Sequence, residues 1–459
     1  MKRALILTAL GLAFSGAFGA TQAQADTYCA ELPDDVSCTE NFTGFSTSIQ
    51  EAVNAADQNE GPDTVKIGPG VFEMPSPVYL SNSGDGNKLN LTGSGESTVL
   101  SGSDPAAPEI HFSGGTGSSI NALTVSIPDD ASNEYKIGLA LDGGATGNGL
   151  NVTFASHLVN GEPSPGNRTT GVRLTAGSTL ENSTVRLYGS NVNDAVDVYG
   201  SGNIVESTLT AFRDVYQRNA TGTVEIRRSA LVVIGGGVVT EGGTMNIRDS
   251  VILNPYFSGN GVYVTSDGGG ATNVLIDRST ILGTPTTVPE SPTVGAVVLA
   301  AAGSPNPGST SFQLNNSVIY GYDFEIAYTE TFPEDTLNIE VDSSAYNSTN
   351  VAEYPGQGTP TFNVEGLLEL NNVDPMFANP FNGDYSLAAG SPLIDAGQAV
   401  DPAPGSLDFA GNPRACDGND DGTIRRDIGA YEFRADPADD CTYPTATITG
   451  PQGDVTGTS

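Results

Sequence analysis

Along most of the chain the apolar residues come as short alternating runs of Val, Ile and Leu set between Gly, Asn and Ser. Val224-Glu-Ile-Arg-Arg-Ser229, Met245-Asn-Ile-Arg-Asp-Ser250, Val274-Leu-Ile-Asp-Arg-Ser279 and Phe312-Gln-Leu-Asn-Asn-Ser317 share one pattern: apolar-x-apolar-polar-polar-Ser, followed by a second apolar run. Weaker copies lie at Leu180 to Ser183, Ile204 to Ser207 and Leu337 to Ser343. From Ser183 to Ser207, Ser229 and Ser250 the steps are 24, 22 and 21 residues. A second ladder lies between these blocks, through Gly138-Leu-Ala-Leu-Asp, Gly171-Val-Arg-Leu-Thr, Ala195-Val-Asp-Val-Tyr, Asp214-Val-Tyr-Gln-Arg, Gly237-Val-Val-Thr-Glu and Gly261-Val-Tyr-Val-Thr. Each run alternates inward and outward residues at the period of a strand. Two to three short strands per 20-odd residues, with polar corners, predict an all-β right-handed parallel β-helix whose stacked coils share one core. Small Ser and Asn at the corners are expected to stack on their equivalents and satisfy corner backbone groups.

One stretch has helical spacing. Ser46 to Asp57 places Ile49, Ala52, Val53 and Ala56 on one face, which predicts a short N-terminal helix capping the first coil and covering its open sheet edge. The chain divides into an export segment (1–25), a cysteine-bearing segment (26–45), the repeat body (46–350), an irregular C-terminal cap (351–433) and a tail (434–459). Residues 1–25 have the layout of a signal peptide: Lys2 and Arg3, a short apolar run from Ala4 to Phe18, and Ala23-Gln24-Ala25 as the cleavage site. The apolar run is shorter than the roughly 20 residues a membrane span needs. A secreted or cell-surface protein with no membrane span in the mature chain is therefore expected. Loop-closure cost favours neighbour pairing of the four cysteines, as Cys29–Cys38 and Cys416–Cys441.

Composition narrows the partners. The 459 residues carry 18 Lys and Arg against 54 Asp and Glu; without Lys2 and Arg3 the balance falls from −36 to −38. That excludes nucleic-acid binding through a cationic footprint and argues for a monomer.

Asp374-Pro-Met-Phe, Asp384-Tyr-Ser-Leu, Gly390-Ser-Pro-Leu-Ile-Asp-Ala-Gly397, Asp408-Phe-Ala-Gly-Asn-Pro-Arg414 and Asp427-Ile-Gly-Ala-Tyr-Glu432 appear in order. Together they resemble the choice-of-anchor Q domain proteins of bacterial surfaces, and Ser48 to Ala56 followed by Ile67 to Phe72 resembles the entry segment of pectin-lyase-like β-helix proteins. The resemblance implies a β-helix at a bacterial surface and no particular chemistry.

Two candidate sites follow from the residues. Asp417-Gly-Asn419-Asp-Asp421-Gly422 has the D-x-N-x-D-G spacing of a calcium loop, with Asp427 as a further ligand and a structural role at the C-terminal cap. It departs from an EF-hand, because the twelfth position is Ile428. The second ladder gives the other site. Its outward columns hold Arg173, Asp197, Tyr216 and Tyr263, and then Asp142, Tyr199, Arg218 and Glu241. Stacked strands lie about 4.8 Å apart, close to one sugar unit along a polysaccharide. Rings that stack on sugars and charges that fix hydroxyl or carboxylate groups suit an extracellular glycan. The plain alternative is a solvated face with Arg173–Asp197 and Arg218–Glu241 ion pairs, each worth little. A catalytic reading, as a polysaccharide lyase or glycoside hydrolase, would draw on Arg173, Asp197, Arg218 and Glu241. No Asp-Asp pair falls in the second ladder and no Gly-His-Gly occurs in the chain, so the polygalacturonase-group signatures are missing from this face and binding without cleavage is expected. A structural or adhesive spacer is the third reading. His157 is expected to be an ordinary surface histidine.

Overall fold

The computed structural model describes residues 25–435 apart from 46, 59–60, 75–77, 82–87, 103–108, 129–134, 155–157, 160–161, 164–168, 188–192, 219–220, 256–258, 267–269, 286–291, 301–306, 399–405 and 415. Residues 1–24, where the signal-peptide layout is expected, His157, Cys441 and nearly all of the tail lie outside the described residues.

The two repeat blocks form three rows of parallel strands that wind as a right-handed parallel β-helix. The first row is a 14-stranded sheet running from Glu40–Phe42 and Thr27–Ala30 to Thr361–Glu365. Its register matches the repeat alignment: Val224 lies beside Met245, Met245 beside Val274, and Val274 beside Phe312. The second and third rows belong to one 21-stranded sheet. They merge because the 11-residue strands Thr208–Arg218 and Ala230–Thr240 run through the corner between them, with a register shift near Arg213. Inward Val, Ile, Leu and Phe from all rows form one continuous core.

The corner between the first and second rows explains the polar-polar-Ser signature. The residue before each serine adopts left-handed backbone geometry: Asn182, Glu206, Arg228, Asp249, Arg278 and Asn316 have φ between 43° and 51°. Such a sharp turn leaves backbone groups without sheet partners, and the buried serine satisfies them. The hydroxyl of Ser229 donates to the Arg227 carbonyl at 2.9 Å and accepts the Ser207 N–H at 3.2 Å. The same bond links Ser183 to Ser207, Ser229 to Ser250, Ser250 to Ser279, Ser279 to Ser317 and Ser317 to Ser344. In the last of these copies the sequence alignment slips by one residue. Ser343 takes the left-handed corner and Ser344 joins the ladder.

Helix α1 (Ser48–Asp57) buries Ile49, Ala52, Val53 and Ala56 against the strands Thr27–Ala30 and Asp63–Ile67. The Cys29–Cys38 disulfide is formed beside it. Cys416 is also disulfide-bonded.

The C-terminal segment is irregular and lies along the flank of the coils. It docks on the row of left-handed corners. Gly429 N–H donates to the Asn316 carbonyl at 2.8 Å, Ala430 N–H to the Thr280 hydroxyl at 2.9 Å, and Arg414 Nε to Asp249 at 2.8 Å. Leu370, Leu387, Leu393 and Ile428 pack with Val318 and Ala345 in a second, smaller core. Among the described residues, no helix is long and apolar enough to cross a membrane.

Candidate functional site

The third row presents the expected outward columns in register. Ala140, Arg173, Asp197, Tyr216, Val239 and Tyr263 are successive neighbours. In the next column Thr175 adjoins Tyr199 and Tyr199 adjoins Arg218. Beyond the expected residues, the first column continues backward through His111 to Tyr79.

The side chains interlock diagonally. Arg173 lies over the rings of Tyr135 and Tyr199 at 5.8 and 5.1 Å, and Arg218 over Tyr199 and Tyr216 at 5.8 and 4.1 Å. Arg213 closes the series over Tyr216 at 4.1 Å. The result is a continuous alternation of rings and guanidinium groups, each contact within the reach of a cation–π attraction. Carboxylates hold the cations in place. Arg218 Nε donates to both oxygens of Asp197, at 2.9 and 3.0 Å, and Arg213 grips Asp194 at 2.6 and 3.1 Å. Arg173 pairs with Glu109 at 3.4 Å.

This geometry changes several expectations. Asp197, expected to face outward, is fully buried beneath Arg218 and accepts the Tyr135 hydroxyl at 3.0 Å. Tyr216 is only 6% exposed, because two guanidinium groups sandwich it, so it offers no open ring face to a sugar. Arg218 holds Asp197 in place of the expected Glu241, whose carboxylate instead accepts the Tyr216 hydroxyl. Asp142, Tyr199, Arg173, Arg218, Glu241 and Tyr263 remain partly exposed on the face.

The open aromatic surface lies at the N-terminal end of the ladder. Tyr79 is 57% exposed and stacks on His111 with ring centroids 4.7 Å apart; Tyr135 is 38% exposed. His111 sits between Asp142 at 3.5 Å and Glu109 at 3.3 Å. The Asp142 contact, then the Glu109 contact, raise the imidazole pKa to about 9, against the opposing effect of burial. In return, hydrogen bonds from His111 and Thr175 outweigh burial and lower the Asp142 pKa.

Sequence reasoning missed Tyr79, Glu109, His111, Tyr135, Asp194 and Arg213. A signal existed for two of them. Val78-Tyr-Leu-Ser and Ile110-His-Phe-Ser carry the same alternation as the second ladder, two coils and one coil earlier respectively. The others sit at strand starts or in corners, where no periodicity marks them.

At the C-terminal loop the Asp417 carboxylate accepts the Asp421 and Gly422 N–H groups at 3.1 and 2.7 Å, while Asn419 Oδ1 accepts the Asp421 N–H at 2.9 Å. Asp427 does not join this loop. It is buried, and its two oxygens accept the N–H groups of Asp395 and Phe433; burial, the largest effect, raises its pKa to about 7.

No family model matches the chain, and no curated relative matches it in sequence. Among solved structures, the pectate lyase Pel9A covers 90% of this chain and 97% of its own at 12% identity, with a TM-score of 0.46. The A-module of the Azotobacter vinelandii mannuronan C-5 epimerase AlgE6 covers 70% of this chain and 94% of its own at 15% identity, with a TM-score of 0.35. Likenesses this distant carry no argument about chemistry.

Proposed function

We propose that this chain is an exported protein that binds polysaccharide along the third-row face without cleaving it. The observation that carries the reading is the unbroken alternation of rings and guanidinium groups from Arg213 to the open ring of Tyr135, with the open ring of Tyr79 on the same row two coils earlier. Open aromatic faces can stack on sugar rings, and partly exposed Arg173, Asp142 and Arg218 offer hydrogen bonds to sugar hydroxyl groups. Pre-formed ion pairs keep these side chains ordered before a ligand arrives, which lowers the entropy lost on binding.

The lyase or hydrolase alternative is less well supported. A general base must be unprotonated, whereas His111 holds its proton up to about pH 9. A glycosidase needs one carboxyl that keeps its proton, whereas Asp142 is biased toward the ionised form and Asp197 is covered by Arg218. The signal-peptide layout and the disulfides support export to an oxidising compartment. The choice-of-anchor Q resemblance fits a bacterial surface.

The test is retention of the purified mature chain on a polysaccharide panel, with product analysis in parallel. Binding is expected to weaken at least tenfold when Tyr79→Ala and Tyr135→Ala are combined. Unsaturated uronates or new reducing ends would show an enzyme. Retention that survives both substitutions would place the site elsewhere, and no retention on any polysaccharide would leave the spacer reading.

A further inference from the structure

We propose that a calcium ion binds between the loop Asp417 to Gly422 and Asp395, which takes the ligand role that sequence spacing assigns to Asp427. This inference is independent of the glycan face. Asp395 lies in Gly390-Ser-Pro-Leu-Ile-Asp-Ala-Gly397, 22 residues before the loop, and no loop pattern includes it.

Three observations bring Asp395 to the loop. Its Oδ2 accepts the Asn419 N–H at 2.9 Å, so the carboxylate sits against the loop backbone. Gly418 permits this approach: a Cβ there would lie 2.7 Å from Ile394 and 3.5 Å from Asp395 Oδ2. Finally, Asp395 is only 6% exposed, and its Oδ1 is buried without a hydrogen bond of normal geometry. The Arg425 amide nearby eases its charge, but Asp417 and Asp421 both act against it. A buried carboxylate oxygen with no good donor, in the field of two more carboxylates, is costly unless a cation joins it.

The donor set suits calcium. Three carboxylates and the Asn419 carbonyl are hard oxygen ligands, and the seventh position of such a loop supplies a backbone carbonyl, here Thr423. The oxygens of Asp395, Asp417 and Asp421 do not all lie within 4.8 Å of one another in this structure. Asp421 is exposed and Asp417 partly so, and bringing the three carboxylates onto one ion requires both side chains to turn from the loop amides that they accept here. Asp427 accepts the N–H groups of Asp395 and Phe433, outside the loop, whereas Asp395 accepts the Asn419 N–H of the loop itself.

The test is calorimetric titration of the chelator-treated full chain with calcium chloride, with the unfolding temperature followed alongside. One equivalent is expected to bind and to raise the unfolding temperature, with magnesium binding more weakly. Asp395→Asn is expected to weaken binding at least tenfold. Asp421→Asn, at an exposed position where folding is not at stake, should do the same. The absence of binding at about 1 mM calcium, the weak end for extracellular modules, would overturn the proposal. So would equal affinity in wild type and Asp395→Asn, or loss of binding in a folded Asp427→Asn variant while Asp395→Asn retains it.

Discussion

His111 should remain protonated through neutral pH and stabilise the fold until about pH 9. Its pKa rises from 6.5 to about 9 because Asp142 and Glu109 flank the ring. At 1.36 kcal/mol per pH unit, such a shift corresponds to roughly 3 kcal/mol. The side chain is 19% exposed, so solvent screening reduces this to about 1–2 kcal/mol. A raised pKa means that the folded state binds the proton more tightly. The stabilisation is therefore complete below about pH 6.5, declines as pH rises, and is gone above about pH 9. His111→Gln removes the titration and also leaves Glu109 and Asp142 facing each other, a cost that does not vanish at high pH. The expected signature is a stability gap between wild type and variant that narrows by about 1–2 kcal/mol between pH 6 and pH 10. Urea unfolding followed by circular dichroism measures the gap. The chain has only two histidines, so proton NMR of a His157→Gln background follows the His111 ring alone. A ring that titrates at or below 6.5, or a stability gap that does not change with pH, would refute the reasoning. It would also reopen His111 as a general base.

Ser229→Ala removes one link of the corner ladder, leaving the Ser207 N–H and the Arg227 carbonyl without their hydroxyl partner; urea unfolding should show a loss of about 1–3 kcal/mol. Arg414→Met should cost about 3–5 kcal/mol, because Asp249 and the buried Glu432 lose the guanidinium that joins flank to coils. Limited proteolysis should then cut the flank segment before the coils, and simultaneous loss of both would count against the flank as a separate unit. Burial, its largest influence, raises the Glu325 pKa from 4.5 to about 8, so the folded state favours the protonated form and stability is lost as pH climbs between those values. Glu325→Gln should match wild type near pH 4 and unfold at higher temperature than wild type above pH 8; a constant difference would refute that assignment.

The sequence by itself determined the coil. Alternation at period two fixed which side chains point inward, and the recurring serine marked the corner, because each coil repeats one local conformational problem. The register of Val224, Met245, Val274 and Phe312 was legible for the same reason: equivalent residues must stack if every coil shares one core. The outward columns of the third row were legible too, down to the adjacency of Asp197 and Tyr216. Tertiary structure alone decided what those columns do. Long side chains choose partners diagonally and from corners, so Arg218 turns to Asp197 and two arginines cover Tyr216, choices that column position does not encode. The same holds at the C-terminus. Spacing along the chain nominated Asp427, but the flank's path over the left-handed corners buries Asp427 among backbone amides and carries Asp395 to the loop. Periodic contacts are written locally, residue by residue. Contacts such as Arg414 with Asp249, 165 positions apart, depend on where an aperiodic segment finds buried partners once the coils have formed.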